Sequence, residues 1–127
     1  MSVRAGDTIL MPLRSGAMIE HLWFVLTDPD KENNFLGVNL TSWELFKDDT
    51  VVLDSGHPFI KKKSVIQFSD ARLFSVSDIE RFLSSMLAQK KEPCPEKLLE
   101  VIRSGLLKSD HTPQDMQEYL KRRISQK

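Results

Sequence analysis

The hydrophobic positions change period once along the chain. Up to about residue 75 they fall in short runs rich in β-branched and aromatic residues: "DTILMP", "EHLWFVLTD", "NNFLGVNLTS", "DTVVLD", "SVIQFSD" and "ARLFS". Polar turn-formers separate them, and no helical pattern intervenes. Five or six short strands follow, pairing antiparallel and curling into a small barrel. "TDPDKENN", residues 27–34, is polar throughout and predicts a hairpin connection. Trp23 and Phe24, inside the second run, are expected in the core.

From Ser75 onward the apolar positions recur at helical spacing. In "SVSDIERFLSSMLAQK", Ser77 and Glu80 read as a capping box, and Ile79, Phe82, Leu83, Met86 and Leu87 share one face. "CPEKLLEVIRSGLL" puts Pro95 at a first helical position and Leu98, Leu99, Ile102 and Leu106 on one face, with Gly105 as an early stop signal. "HTPQDMQEYLKRRIS" repeats the device, with Thr112 as cap, Pro113 as first residue and Met116, Tyr119, Leu120 and Ile124 as apolar face. The linkers "KKEPCP" and "KSDHTP" are short, so the helices should pack on each other or on the barrel. The expectation is an α+β fold: a barrel over residues 1–75 and a helical segment over 76–127, packed as one unit.

Composition narrows the function classes. Lysine plus arginine equals aspartate plus glutamate at 18 each, which removes the broad positive footprint of a DNA-coating protein and leaves room only for a local nucleic-acid surface. The single cysteine, Cys94, gives no disulfide framework or paired-cysteine metal knuckle and favours a reducing cytoplasm. Flanked by Glu92 and Glu96, it is expected to be inert. No apolar run is long enough to span a bilayer, and "MSVRAGDTIL" lacks the apolar core of a secretory signal, so neither insertion nor export is expected. Phosphate-binding glycine loops, nucleophile elbows and zinc-helix motifs are missing. Asp48 and Asp49 are adjacent and on a strand would face opposite sides, so no metal or cofactor is expected.

The order of elements over residues 6–74 resembles the MazF/PemK/Kid-type toxin family, SH3-like barrels that act as metal-independent endoribonucleases. "AGDTILMP" is similar to that family's opening strand, "HLWFVLTD" to its second, "NNFLGVNLTS" to its third and "SVIQFSDARLF" to a later one. Thr41, in "NLTS", stands at a family threonine that assists the chemistry. Where the family carries Arg-Pro at the entrance to the second strand, its arginine a principal catalytic residue, this chain has His21-Leu22. "GHPFIKKKS" and the helices have no counterpart in the compact toxins. The resemblance implies an RNA substrate, a homodimer and a protein antitoxin that blocks the groove.

RNA cleavage through the ribose 2′-hydroxyl needs a proton acceptor, a proton donor and a cation for the phosphorane charge. His21 and His57 are the candidate pair, Lys61 the cation and Thr41 the assisting hydroxyl. Lys61, Lys62, Lys63 and Arg14 are candidate phosphate contacts, and Trp43 in "TSWELF" a candidate base-stacking ring. Each has a plainer reading. His57 in its Gly-His-Pro turn serves equally to fix backbone, with Phe59 and Ile60 as inward anchors. The lysine run serves to solvate a strand edge, and Trp43 to cover a barrel end. On those readings the chain is a non-catalytic SH3-like interaction module or a phage or plasmid accessory protein.

Overall fold

The computed structural model describes residues 3–12 and 19–125. Arg14, one of the candidate phosphate contacts, lies outside them. Strands β1 (Thr8–Pro12), β2 (Glu20–Val25), β3 (Asn34–Ser42), β4 (Val52–Leu53) and β5 (Ser64–Ser75) precede helix α1 (Val76–Ser84). Strand β6 (Gln89–Lys91) and helices α2 (Glu96–Lys108) and α3 (Gln114–Ser125) follow. All strand pairs are antiparallel, in the order β4-β5-β3-β2-β1-β6, and the sheet curls into a half-barrel. The α+β class expected from the change of period is the one observed.

The period of two along each strand sends alternate residues to opposite faces, and both faces are covered. Leu22 and Phe24 of β2, Leu36, Val38 and Leu40 of β3, and Ile66 and Phe68 of β5 form one core with Leu98, Leu99, Ile102 and Leu106 of α2 and Met116, Tyr119 and Leu120 of α3. The intervening Trp23, Val25 and Phe35 pack on Ile9, Met11, Val76 and Ile79 beneath α1. Between the ladder pairs Gly37↔Arg72 and Asn39↔Gln67 the register shifts, because β5 has more residues there than β3. The irregularity lets Phe68 and Ala71 both reach the first core.

Several local expectations shift. The cap of α1 is Ser75, whose Oγ accepts from the Asp78 amide at 3.3 Å, in place of Ser77. The helix stops at Ser84. Met86 takes a left-handed φ of 65°, Met86 and Leu87 are exposed, and the chain enters β6, an edge strand that the helical reading of "MLAQK" did not foresee. Pro95 is the N-cap of α2, one position earlier than expected. Gly105 does not end that helix, which runs on to Lys108. A Cβ at Gly105 would stand 2.4 Å from Val51 Cγ2 and 2.8 Å from Phe68 Cζ, so the missing side chain lets α2 lie directly on the sheet. The Thr112 hydroxyl donates to the Leu106 carbonyl at 2.8 Å, tying the start of α3 to the end of α2. Ile124, expected on the apolar face of α3, is exposed.

The 27–34 connection is a tight turn built on Asp30. Its Oδ1 accepts from the amides of Glu32 and Asn34 at 2.9 and 3.0 Å, with Asn33 at a left-handed φ of 63°. The Tyr119 hydroxyl donates to Asp30 Oδ2 at 2.8 Å and accepts from Arg123 at 3.1 Å, which fastens α3 to the hairpin.

A second carboxylate, the buried Asp48, joins loop to helix. Asp48 Oδ2 accepts from the Ser109 hydroxyl at 2.6 Å, and Oδ1 accepts from the Thr50 hydroxyl and amide at 2.6 and 3.0 Å. Burial alone would raise its pKa, but the bonds from Ser109 and Thr50, helped by nearby His111, hold it below the ordinary aspartate value. A lowered folded-state pKa stabilises the fold at pH values above the unfolded-chain pKa, and that contribution is lost as pH falls through the folded value. Asp48→Asn is therefore expected to cost about 1–3 kcal/mol near neutral pH, with the deficit shrinking in acid. Urea unfolding of both proteins across an acid-to-neutral series measures this.

Candidate functional site

Two strand ends and two loops converge on one side of the sheet. His21 stands near the start of β2, and Thr41 and Ser42 end β3 on the neighbouring strand. The loop after β3 turns back with a Lys47 amide to Glu44 carbonyl bond of 3.3 Å, and the segment before β5 brings Lys61 and Lys62. These residues line a cleft of about 490 Å³, together with Phe59, Ser64, Ile19 and the carboxylates Glu20 and Glu44. Of the candidates drawn from the sequence, the cleft collects His21, Thr41, Lys61 and Lys62.

The geometry assigns each group a chemical capacity. His21 Nδ1 lies 3.2 Å from the Leu40 carbonyl oxygen. A carbonyl only accepts, so Nδ1 carries the proton and Nε2 is left as the basic nitrogen. The Lys47 ammonium donates to Thr41 Oγ1 at 3.0 Å and to the Ser42 carbonyl at 2.9 Å, with Glu44 at 3.9 Å. Because Thr41 Oγ1 accepts from that ammonium, its own proton remains available for an incoming oxygen. Lys47 is a cleft cation that sequence reasoning missed. It lies six residues from Thr41, and no helical or strand period in "TSWELFK" announces that the loop will fold back.

The lysine segment is held from below. His57 is buried, and its Nδ1 accepts from the Phe59 amide at 3.0 Å, which places the ring proton on Nε2. Nε2 lies 2.6 Å from the Glu92 carbonyl and 3.3 Å from the Thr8 hydroxyl, which itself donates to Glu92 O at 2.7 Å. Both ring nitrogens are thus engaged with groups that pin the β4–β5 connection to the chain after β6. The Ile60 amide donates to the His57 carbonyl at 2.9 Å, and the Ile60 side chain is buried. Phe59, expected inside with it, is 40% exposed. His57 lines a neighbouring cleft and not the one that holds His21.

Trp43 and Lys63 pair with each other beside the cleft. The Trp43 amide donates to the Lys63 carbonyl at 3.1 Å, and the Lys63 ammonium sits 4.2 Å from the indole centroid. Cys94 is buried away from this chemistry. Burial pushes its thiol above the ordinary value, Glu96 and Asp7 add to the shift, and its own amide and Arg103 oppose it. No cluster of histidine, cysteine and carboxylates suited to a metal occurs among the described residues, and none of their helices is long and apolar enough to cross a membrane. No protein-family model matches the chain, and no curated protein matches it significantly.

Proposed function

We propose that the chain binds RNA in the His21 cleft and cleaves it without a metal, in the manner of a MazF/PemK-type toxin. The observation that supports this reading is the convergence of His21, Thr41, Lys47, Lys61 and Lys62 on one cleft. Phosphodiester oxygens are met by the lysine ammonium groups and the Thr41 hydroxyl. His21 Nε2 takes the proton of the ribose 2′-hydroxyl, and the 2′-oxygen forms a bond to phosphorus. The bond to the 5′-oxygen breaks, that oxygen takes a proton from a water to which the protonated His21 returns one, and a cyclic phosphate is left on the ribose. His57 holds the loop that carries Lys61 and Lys62. On the same reading the protein works as a cytoplasmic homodimer restrained by a protein antitoxin.

A non-catalytic interaction module is the second reading, and one feature favours it. In the loop between β3 and β4, Leu45 and Phe46 are 71% and fully exposed, and Phe46 holds a left-handed φ of 69° that bulky residues rarely adopt. Fluorescence anisotropy of a labelled mixed-sequence 2′-O-methyl RNA, which cannot be cleaved through its 2′-oxygen, separates the two across a salt series. Contacts from three cleft lysines predict that log affinity falls against log salt with a slope of about −2, reduced in a Lys61→Ala, Lys62→Ala double variant. A wild-type protein that fails to bind RNA would favour the module.

A further inference from the structure

The cleft continues beyond Phe59. A second cleft, of about 390 Å³, is lined by His57, Pro58, Phe59, Lys61, Lys91 and Glu92, so Phe59 and Lys61 belong to both. The backbone carrying Phe59 is fixed, because its amide is bonded to His57 Nδ1 and its neighbour Ile60 is buried. Phe59 as a whole is nonetheless 40% exposed, and it lines both clefts. On a pinned backbone only the two side-chain torsions of the ring remain to be fixed when a base stacks on it, which limits the entropy lost on binding.

We propose that the second cleft is an adjacent nucleotide subsite. One unpaired base stacks on Phe59, and Lys61 serves the phosphates on either side of it. The proposal rests on the reading of the first cleft as an RNA site, and extends it to a single-stranded segment that runs from the His21 side to the Lys91 side. Base–aromatic stacking requires an unpaired base, so a duplex leaves this subsite empty. Glu92 reduces the positive charge of the second cleft relative to the first, which suits it to a base more than to a phosphate. Trp43, the ring that sequence reasoning offers for stacking, is covered on one side by Lys63.

The test uses the full chain in EDTA with a short single-stranded 2′-O-methyl RNA, which cannot be cleaved through its 2′-oxygen and carries 2-aminopurine, read by anisotropy for affinity and by 2-aminopurine fluorescence for stacking. The wild type should bind with a change in base fluorescence. Phe59→Ala should bind about tenfold more weakly, without that change and with the same salt slope, since no charge is lost. Phe59→Trp, which keeps a stacking face, should bind at least as well as the wild type. If Phe59→Ala binds and reports stacking as the wild type does, the subsite is overturned while the RNA reading stands. If the wild type binds no RNA, the reading of the first cleft falls and the subsite with it.

Discussion

Ile102→Ala is expected to destabilise the fold by about 3 kcal/mol, within the ~2–5 kcal/mol that truncating a buried isoleucine to alanine costs. Ile102 is fully buried in the core between α2 and the sheet, with Phe24, Leu36 and Phe68 in the same cluster. Truncation costs most where the surroundings cannot close the cavity, and that is the situation here. One turn on, the backbone of Gly105 already lies so close to Val51 and Phe68 that a single added carbon would clash. Helix α2 therefore cannot move inward to fill the space that Ile102 leaves. Urea titration should show a lower midpoint with an unchanged slope. Val101→Ala, at a neighbouring position that is 48% exposed, should stay within about 0.5 kcal/mol of the wild type. Equal losses in the two variants would contradict the packing described for α2. None of the cleft residues lies on α2, so if the cleft binds RNA as proposed, the folded fraction of Ile102→Ala should bind it as the wild type does.

The elements that local pattern revealed are those whose side chains do the packing. β2 was legible as an apolar run because both of its faces are buried, Leu22 and Phe24 on one side and Trp23 and Val25 on the other. α2 and α3 were legible from apolar faces at helical spacing. β6 was not, because "QKK" contributes almost no apolar surface and is held by its backbone pairing to β1. Its reading as helix came from Met86 and Leu87, whose spacing suits a helix although both side chains face solvent. The cap of α1 failed for a related reason. Ser75 with Asp78 and Ser77 with Glu80 are the same local signal two residues apart. The choice falls to the ladder, which keeps the chain in β5 as far as the pair Asn34↔Ser75.

At the candidate site, residue types were legible and proximity was not. His21, Thr41, Lys61 and Lys62 could be named from the sequence. That the first two lie on neighbouring strands beside the lysine loop depends on the β2–β3 and β3–β5 registers, and a one-residue slip would send every side chain to the opposite face. Lys47 was missed because its role arises from a loop that folds back on Thr41. That His57 reaches the Glu92 carbonyl as well as the nearby Phe59 amide could not be read from "GHPF" alone.

The largest functional effect is expected at His21. Its Nδ1 proton is directed to the Leu40 carbonyl, which fixes the tautomer and leaves Nε2 as the basic nitrogen of the cleft. Loss of a positioned general base typically costs ~10²–10⁴-fold in rate. On the proposed reading, phosphate contacts come chiefly from Lys47, Lys61 and Lys62, so His21→Ala should leave RNA affinity nearly unchanged while abolishing turnover. A lysine substitution should do the reverse, weakening binding first. That division separates a catalytic histidine from one that only supports the cleft, because collapse of the cleft would lower affinity and rate together.

The most direct measurement incubates labelled mixed-sequence RNA in EDTA with wild-type protein and with His21→Ala at matched fractions bound. Cleavage by the wild type, lost in His21→Ala with affinity retained, is the predicted result. Absence of cleavage by the wild type, or equal cleavage by both, would contradict the assignment of His21 as the base of a metal-independent ribonuclease.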